Sequence, residues 1–145
     1  MSFTDLSRGV STASEGVLTG LPYAEFLGLQ FSVGQDGVTL IMPFTKALIG
    51  SPQPPRLHGG SVAGLMEIAS IAQLLHSLRD EEKVPAIKPI DVTVDYLRAG
   101  QPEDTYARAT IVRMGRRVVN VQVTAWQSDA DKPIATARMN VMLKR

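Results

Sequence analysis

The sequence predicts an α+β fold in which a curved antiparallel sheet wraps one long helix. Three observations carry that expectation. Residues 58–78 read HGGSVAGLMEIASIAQLLHSL, with apolar residues on every side of the helical wheel, and a helix that is apolar all round is a buried one. Flanking segments alternate apolar and polar residues with the period of two that marks strands. The order is two strands, one helix, then four strands, and helix and strands segregated along the chain point to α+β. One helix cannot cover both faces of a six-stranded sheet. A strongly curved sheet would bury it on most sides, and a partner subunit would cover the remainder.

Residues 3–20 are mixed and rich in Ser and Thr, and a short helix closed by Gly20 is expected there. Pro22 opens a second short helix, PYAEFLG, which Gly28 ends, because proline suits the first helical turn and glycine the position past the last. LQFSVGQDGVTLIMPF reads as two strands around Asp36-Gly37, a hairpin signal. Gly50, Pro52, Pro54 and Pro55 make 45–57 a loop. The helix then runs for about 20 residues, roughly 30 Å at the standard rise. It ends at the charged segment 79–83 and Pro85. Beyond it Ile90, Val92, Val94 and Tyr96 alternate with Asp91, Thr93 and Asp95. Segments 104–114 and 117–127 flank a turn at Gly115. A last strand alternates Ala135, Ala137, Met139, Val141 and Leu143 with polar residues and Met142.

A chain of 145 residues suits a single domain with one core, here 1–145 with 1–20 as an N-terminal extension. A net charge of +1 gives no electrostatic case for nucleic acid or an anionic membrane. With no cysteine there is no disulfide, thiolate metal site or cysteine nucleophile. His58 and His76 stand 18 residues apart without a ligand cluster, so no metal site is expected. The N-terminus has no continuous apolar run and no stretch reaches membrane-spanning length, so neither a signal peptide nor a transmembrane span is expected. The expected location is cytoplasmic.

Glu67 is the only ionisable residue between Gly59 and Leu75. A carboxylate in so apolar a helix neutralises, finds partners or has a chemical task. Its context is a motif: His58-Gly59-Gly60 opens the helix and Glu67 follows the histidine by nine residues. Together with Asp91-Val92-Thr93-Val94-Asp95-Tyr96, Arg98-Ala99-Gly100 and Arg113-Met114-Gly115-Arg116-Arg117, this resembles the hotdog-fold thioesterases over roughly residues 20–143. The resemblance is greatest to acyl-CoA thioesterases of the phenylacetate-degradation type. It implies a hotdog fold and hydrolysis of a small aromatic or medium-chain acyl-CoA, with coenzyme A as part of the substrate and no separate cofactor. The family's Asn or Gln six residues before the histidine falls here on Pro52. Gln53 beside it would substitute as a substrate-orienting amide if the loop shifted by one residue. A Ser or Thr that some members use later in the site has no match, with Ile71 and Pro89 near its place.

Thioester hydrolysis needs a group to polarise the carbonyl and a group to deliver or become the nucleophile. The first turn of a helix offers free N–H groups and a positive dipole end. The Gly59 N–H is the candidate oxyanion donor, with Gly60 and His58 in support. Glu67 is the candidate general base, or the nucleophile that forms a mixed anhydride. The two lie more than about 10 Å apart along one helix at 1.5 Å per residue, so they hardly serve one carbonyl within one chain. The resemblance implies a homodimer in which one subunit supplies the N–H and the other the carboxylate, with a dimer of dimers as the larger alternative. It also places coenzyme A near Arg116 and Arg117, with Arg98 a further candidate for substrate binding; guanidinium suits phosphate.

Structural roles stand beside these. The glycines also suit an entry turn, His58 a cap, Glu67 a buried structural acid, and the arginines, Arg113 included, a solvated surface. His76 would complement the helix dipole. The competing functions are a non-catalytic acyl-CoA binder and, lower, a hotdog hydratase or dehydratase. The latter needs a histidine about fourteen residues before the glutamate, where Gln53 stands.

Overall fold

Alternating apolar residues and glycine turns produce an antiparallel sheet on which one helix rests. The structure, a computed structural model, describes residues 14–145. Its elements are β1 (Glu15–Val17), α1 (Pro22–Phe26), β2 (Gln30–Gly34), β3 (Gly37–Met42), a 3-10 turn (Lys46–Leu48), β4 (Ile49–Pro52), β5 (Pro55–Leu57), α2 (Gly59–Ser77), β6 (Ala86–Tyr96), β7 (Thr105–Met114), β8 (Val118–Trp126) and β9 (Ala135–Lys144). Seven strands form one sheet in the order β1-β2-β3-β7-β8-β9-β6, and every neighbouring pair is antiparallel. This is the expected hotdog arrangement of a long helix against a large antiparallel sheet.

The strands present small or branched residues to the helix. Ala107 and Ala109 of β7 and Val119, Val121 and Val123 of β8 are buried, as are Leu65, Met66, Ala69 and Leu74 of α2 opposite them. Short side chains on β7 let the helix approach, and each fully buried Leu or Met contributes about 1.5–3 kcal/mol. The β2–β3 hairpin turns where Asp-Gly stands. Gly34 pairs with Gly37, and the Gly37 φ of +94° lies in a region that costs glycine nothing. A side chain there would also collide with Gln73 of α2. Gln73 Oε1 accepts from the Val38 N–H at 2.8 Å, which ties the hairpin to the helix.

Three local expectations change. Segment 45–57 is not an open loop but the 3-10 turn and the β4–β5 hairpin, because Pro52 and Pro55 face each other across a tight turn. The helix expected in 3–20 falls mostly outside the described residues, and within them Glu15–Val17 is a strand that adds a seventh member to the six expected. The sheet buries the central helix on most sides, as expected, and Ala63, Gly64, Glu67, Ile71 and Leu75 form a half-buried stripe on the face away from it. Finally, burial first and then the charge of Arg79 hold the His76 pKa below its usual value, so His76 is mostly neutral near pH 7. Arg79 serves the helix end instead, donating from Nη1 to the His76 carbonyl at 2.6 Å.

Strand β6 departs from its half-buried pattern. Ile90, Val92 and Tyr96 are 50%, 37% and 56% exposed, so both its faces meet solvent over much of its length. It lies at the edge of the sheet with only β9 as neighbour.

The Gln73 contact yields a direct test. Gln73→Met keeps the volume but leaves the buried Val38 N–H without its acceptor, and urea unfolding should show a loss of about 1–3 kcal/mol. A variant as stable as the parent would remove this contact from the account.

Candidate active site

The start of α2 is built by three residues in a row, each held differently. His58 caps the helix: its backbone is extended at φ −66° and ψ 127°, and its Nδ1 accepts from the Gly60 N–H at 2.9 Å. With Nδ1 accepting, the neutral ring carries its proton on Nε2. The His58 N–H donates to the Leu48 carbonyl at 2.8 Å and its carbonyl accepts from the Ser61 N–H at 3.1 Å. Gly60 must lack a side chain, because a Cβ would lie 2.8 Å from His58 Nδ1. At Gly59 a side chain would be tight rather than excluded, because Tyr96 covers it. A Cβ would come within 3.1 Å of the phenol, whose hydroxyl donates to the Gly59 carbonyl at 2.9 Å. So the space freed by both glycines is filled by the protein itself.

The N–H groups of this turn are therefore unequal. That of Gly60 is taken by His58 and that of Ser61 by the His58 carbonyl, whereas no described residue accepts from the Gly59 N–H. It is a first-turn donor of the kind a helix leaves without an internal partner.

Gly59 lines a cleft of about 340 Å³, together with Arg56, Val62, Tyr96, Arg98 and Ile134. The loop after β6 is held in place by backbone and amide contacts. The Leu57 N–H donates to the Gly100 carbonyl at 2.9 Å. Buried Gln127 accepts from the Gln101 N–H at 3.0 Å and donates to the Gln101 carbonyl at 2.9 Å. Those contacts fix Arg98 beside the helix start, so two guanidiniums, Arg56 and Arg98, stand at a cleft with a helix N-terminus.

The other expected site residues lie elsewhere. Glu67 does not line this cleft. It sits eight residues further along α2, about 12 Å at the standard rise, on the half-buried stripe. Gln53 is exposed at the tip of the β4–β5 hairpin, also outside the cleft. Arg116 and Arg117 occupy the β7–β8 turn at the opposite end of the sheet. Ala125 pairs with Ala135 near the cleft and Val118 with Met142 near the turn, which separates the two ends by roughly 23 Å at 3.3 Å per strand residue. Gly115 shapes that turn, since a side chain there would strike the Val118 carbonyl. The turn joins the C-terminus, with the Leu143 N–H donating to the Arg117 carbonyl at 2.7 Å and Arg145 Nε to the Arg116 carbonyl at 3.1 Å. Arg116, Arg117 and Lys144 make an exposed basic corner. Arg145 joins it but is paired with Glu81 at 2.7 Å. In that contact the Arg145 guanidinium lowers the Glu81 pKa and the carboxylate raises that of the guanidinium, in each case first through the hydrogen bond.

Sequence reasoning missed Arg56 and Tyr96 as members of the site. Tyr96 stood in the sequence as the last apolar residue of an alternating strand, and nothing local announces that it reaches a glycine 37 positions earlier. No group of three or more metal-ligating side chains occurs among the described residues, and none of their helices is long and apolar enough to cross a membrane.

The cap can be tested apart from any chemistry. His58→Ala should cost about 1 kcal/mol of stability in chemical unfolding, as loss of an N-cap side chain does, while His58→Asn should retain most of it. Equal losses for both would mean that the ring acts through packing rather than as an acceptor.

With this geometry in place, comparison with known proteins gives it a family. The chain matches the model of the acyl-CoA thioesterase N-terminal domain over residues 50–142. A solved protein of Chromobacterium violaceum is 31% identical, with 99% of this chain and 96% of that one covered and a TM-score of 0.69. A phenylacetic acid degradation-related protein of Ralstonia eutropha is 20% identical, with 97% and 98% covered and a TM-score of 0.74. A Bacillus halodurans protein solved with CoA is 17% identical, with 86% and 77% covered and a TM-score of 0.72. The last two likenesses are of fold. No curated protein matches the chain. The family match takes in α2, all of β6–β8 and the loops between them, and with them every residue lining the cleft, and the chain belongs to the acyl-CoA thioesterase family of hotdog proteins.

Proposed function

We propose that the protein hydrolyses acyl-CoA thioesters, of a small aromatic or medium-chain acyl group, at sites shared between two subunits. The observation that carries this reading is the pairing of Gly59, which lines a cleft with Arg56 and Arg98 and whose N–H no described residue uses, with a lone carboxylate on the outward stripe of the same helix. In one chain they are too far apart for one carbonyl. A second copy removes the conflict. The free edge of β6, eleven residues long and carrying exposed Ile90, Val92 and Tyr96, is a template for strand pairing. Antiparallel pairing of two β6 strands about a two-fold axis would lay the two α2 helices antiparallel on one face. Glu67 of each would then approach the helix start of the other. The same operation sets the Tyr96 end of one strand against the Ala86 end of its copy, which carries the basic corner of one subunit toward the cleft of the other.

In this scheme the Gly59 N–H donates to the thioester carbonyl oxygen, with the helix dipole favouring the charge that develops there. Glu67 of the other subunit takes a proton from water, which adds to the carbonyl carbon. The carbon–sulfur bond then breaks and coenzyme A leaves as the thiol, the proton returning from Glu67. Direct attack by the carboxylate, followed by hydrolysis of the anhydride, uses the same residues. Arg98 and Arg56 from one side and Arg116 and Arg117 from the other would hold the nucleotide phosphates. Capture of CoA by the fold relative from Bacillus halodurans supports that ligand class, and no cofactor or metal enters the scheme. One observation favours a second reading, a non-catalytic acyl-CoA binder: Gln53 stands at an exposed hairpin tip, outside the cleft, so the family's orienting amide has no counterpart at Gly59.

Release of free thiol from a panel of acyl-CoAs decides between the two. Glu67→Gln should lower kcat by about 10²–10⁴, the range for a positioned acid or base. A folded Gln variant at the parent rate would remove Glu67 from the chemistry. Arg116→Ala/Arg117→Ala should raise KM and leave kcat nearly unchanged, as loss of uniform binding does, with a smaller effect at high salt. A truncated thioester without the nucleotide should be unaffected. Equal losses on both substrates would mean that the arginines support structure instead.

A further inference from the structure

Helix α1 buries one side and leaves two aromatic rings on the other. Ala24 and Leu27 are 0% and 3% exposed, while Tyr23 and Phe26 are 47% and 73% exposed. The two rings stack with centroids 6.0 Å apart and planes 13° from parallel. Polar residues would serve as well on a solvated face, and neighbouring apolar rings gain more when something covers them.

Their position says what that cover is. The Tyr23 ring lies on Gly64 of α2: a Cβ at Gly64 would stand 2.7 Å from Tyr23 Cε1 and 3.3 Å from its hydroxyl oxygen. Gly64 is three residues before Glu67 on the same half-buried stripe, one turn away on one helix face. Helical side chains lean toward the N-terminus, so the Glu67 carboxylate leans toward the ring. Any thioester carbonyl that Glu67 serves therefore starts its acyl chain within about one helical pitch, roughly 5 Å, of this aromatic surface.

We infer that Tyr23 and Phe26 form the wall against which the acyl group packs, and that Tyr23, seated on Gly64, limits the length of chain accepted. The inference rests on the acyl-CoA reading above and deepens it: an apolar group attached to the reacting carbonyl covers the rings. A flat aromatic acyl group stacks on them, and a short or medium straight chain lies along them. A longer chain meets Tyr23.

The test is the ratio of kcat/KM for dodecanoyl-CoA to that for hexanoyl-CoA, measured on one preparation so that any loss of folded protein cancels. Tyr23→Ala should raise this ratio about tenfold, the scale on which pocket size discriminates methylenes, and should lower the rate on phenylacetyl-CoA relative to hexanoyl-CoA. Gly64→Ala displaces the ring without removing it, and the ratio should fall. Unchanged ratios in both variants, with hydrolysis intact, overturn the inference. Unchanged ratios with a shift from dimer to monomer also overturn it, and assign the rings to a subunit contact. If the parent protein hydrolyses none of the panel, the activity itself is wrong and the acyl wall falls with it.

Discussion

Two groups suited to thioester chemistry sit on one rigid helix, and the helix fixes them about 12 Å apart. That separation governs how the rest of the molecule is to be understood. A helix of 19 residues packed along its length against the sheet has no hinge that would bring Gly59 and Glu67 together. Either one of them is idle or each works with its counterpart on another copy. The second choice gives a use to three features that are otherwise costly: the long free edge of β6, the half-exposed stripe of small and apolar residues on α2, and the basic corner remote from the cleft.

The start of the helix shows how local packing sets chemical availability. His58 satisfies the Gly60 N–H and Tyr96 holds the Gly59 carbonyl, so the first turn is anchored from both sides and one donor is left over. The motif would serve as an entry turn without any of this. What distinguishes it is that Gly59, whose N–H no described residue uses, lines a cleft together with Arg56 and Arg98. Preorganised donors of this kind are worth most where water is excluded, which a second subunit across the cleft would achieve.

Much of the fold was legible in the sequence because its signals are local. The Asp36-Gly37 turn, the alternation in β7, β8 and β9 and the apolar helix each declare themselves within about a dozen residues. What escaped depends on distant partners. β1 is too short for periodicity and exists because β2 offers an edge. The prolines of 52–55 look like a loop breaker, yet they pair across a hairpin. The alternation in β6 correctly marked a strand but not that its apolar side would stay exposed in one chain. The separation of Arg98 from Arg116 and Arg117 by the length of the sheet is equally invisible without the register. Glu67 was conspicuous from its isolation alone. Its place on an outward stripe was not, because a helix apolar all round gives no clue to which face the sheet takes.

Subunit complementation tests the shared site most directly. Glu67→Gln removes the carboxylate's basicity. Gly59→Pro removes the N–H, and proline suits this place because it is the first helical residue and His58 before it is already extended; the Tyr96 ring must shift slightly, so helicity is checked by circular dichroism. Each variant alone should be inactive. Mixed, unfolded and refolded together, they should form heterodimers with one intact site, and about a quarter of the parent activity should return, as random pairing puts half the dimers in that class. No recovery, although heterodimers form, would contradict the shared site, as would full activity in a monomer at high dilution.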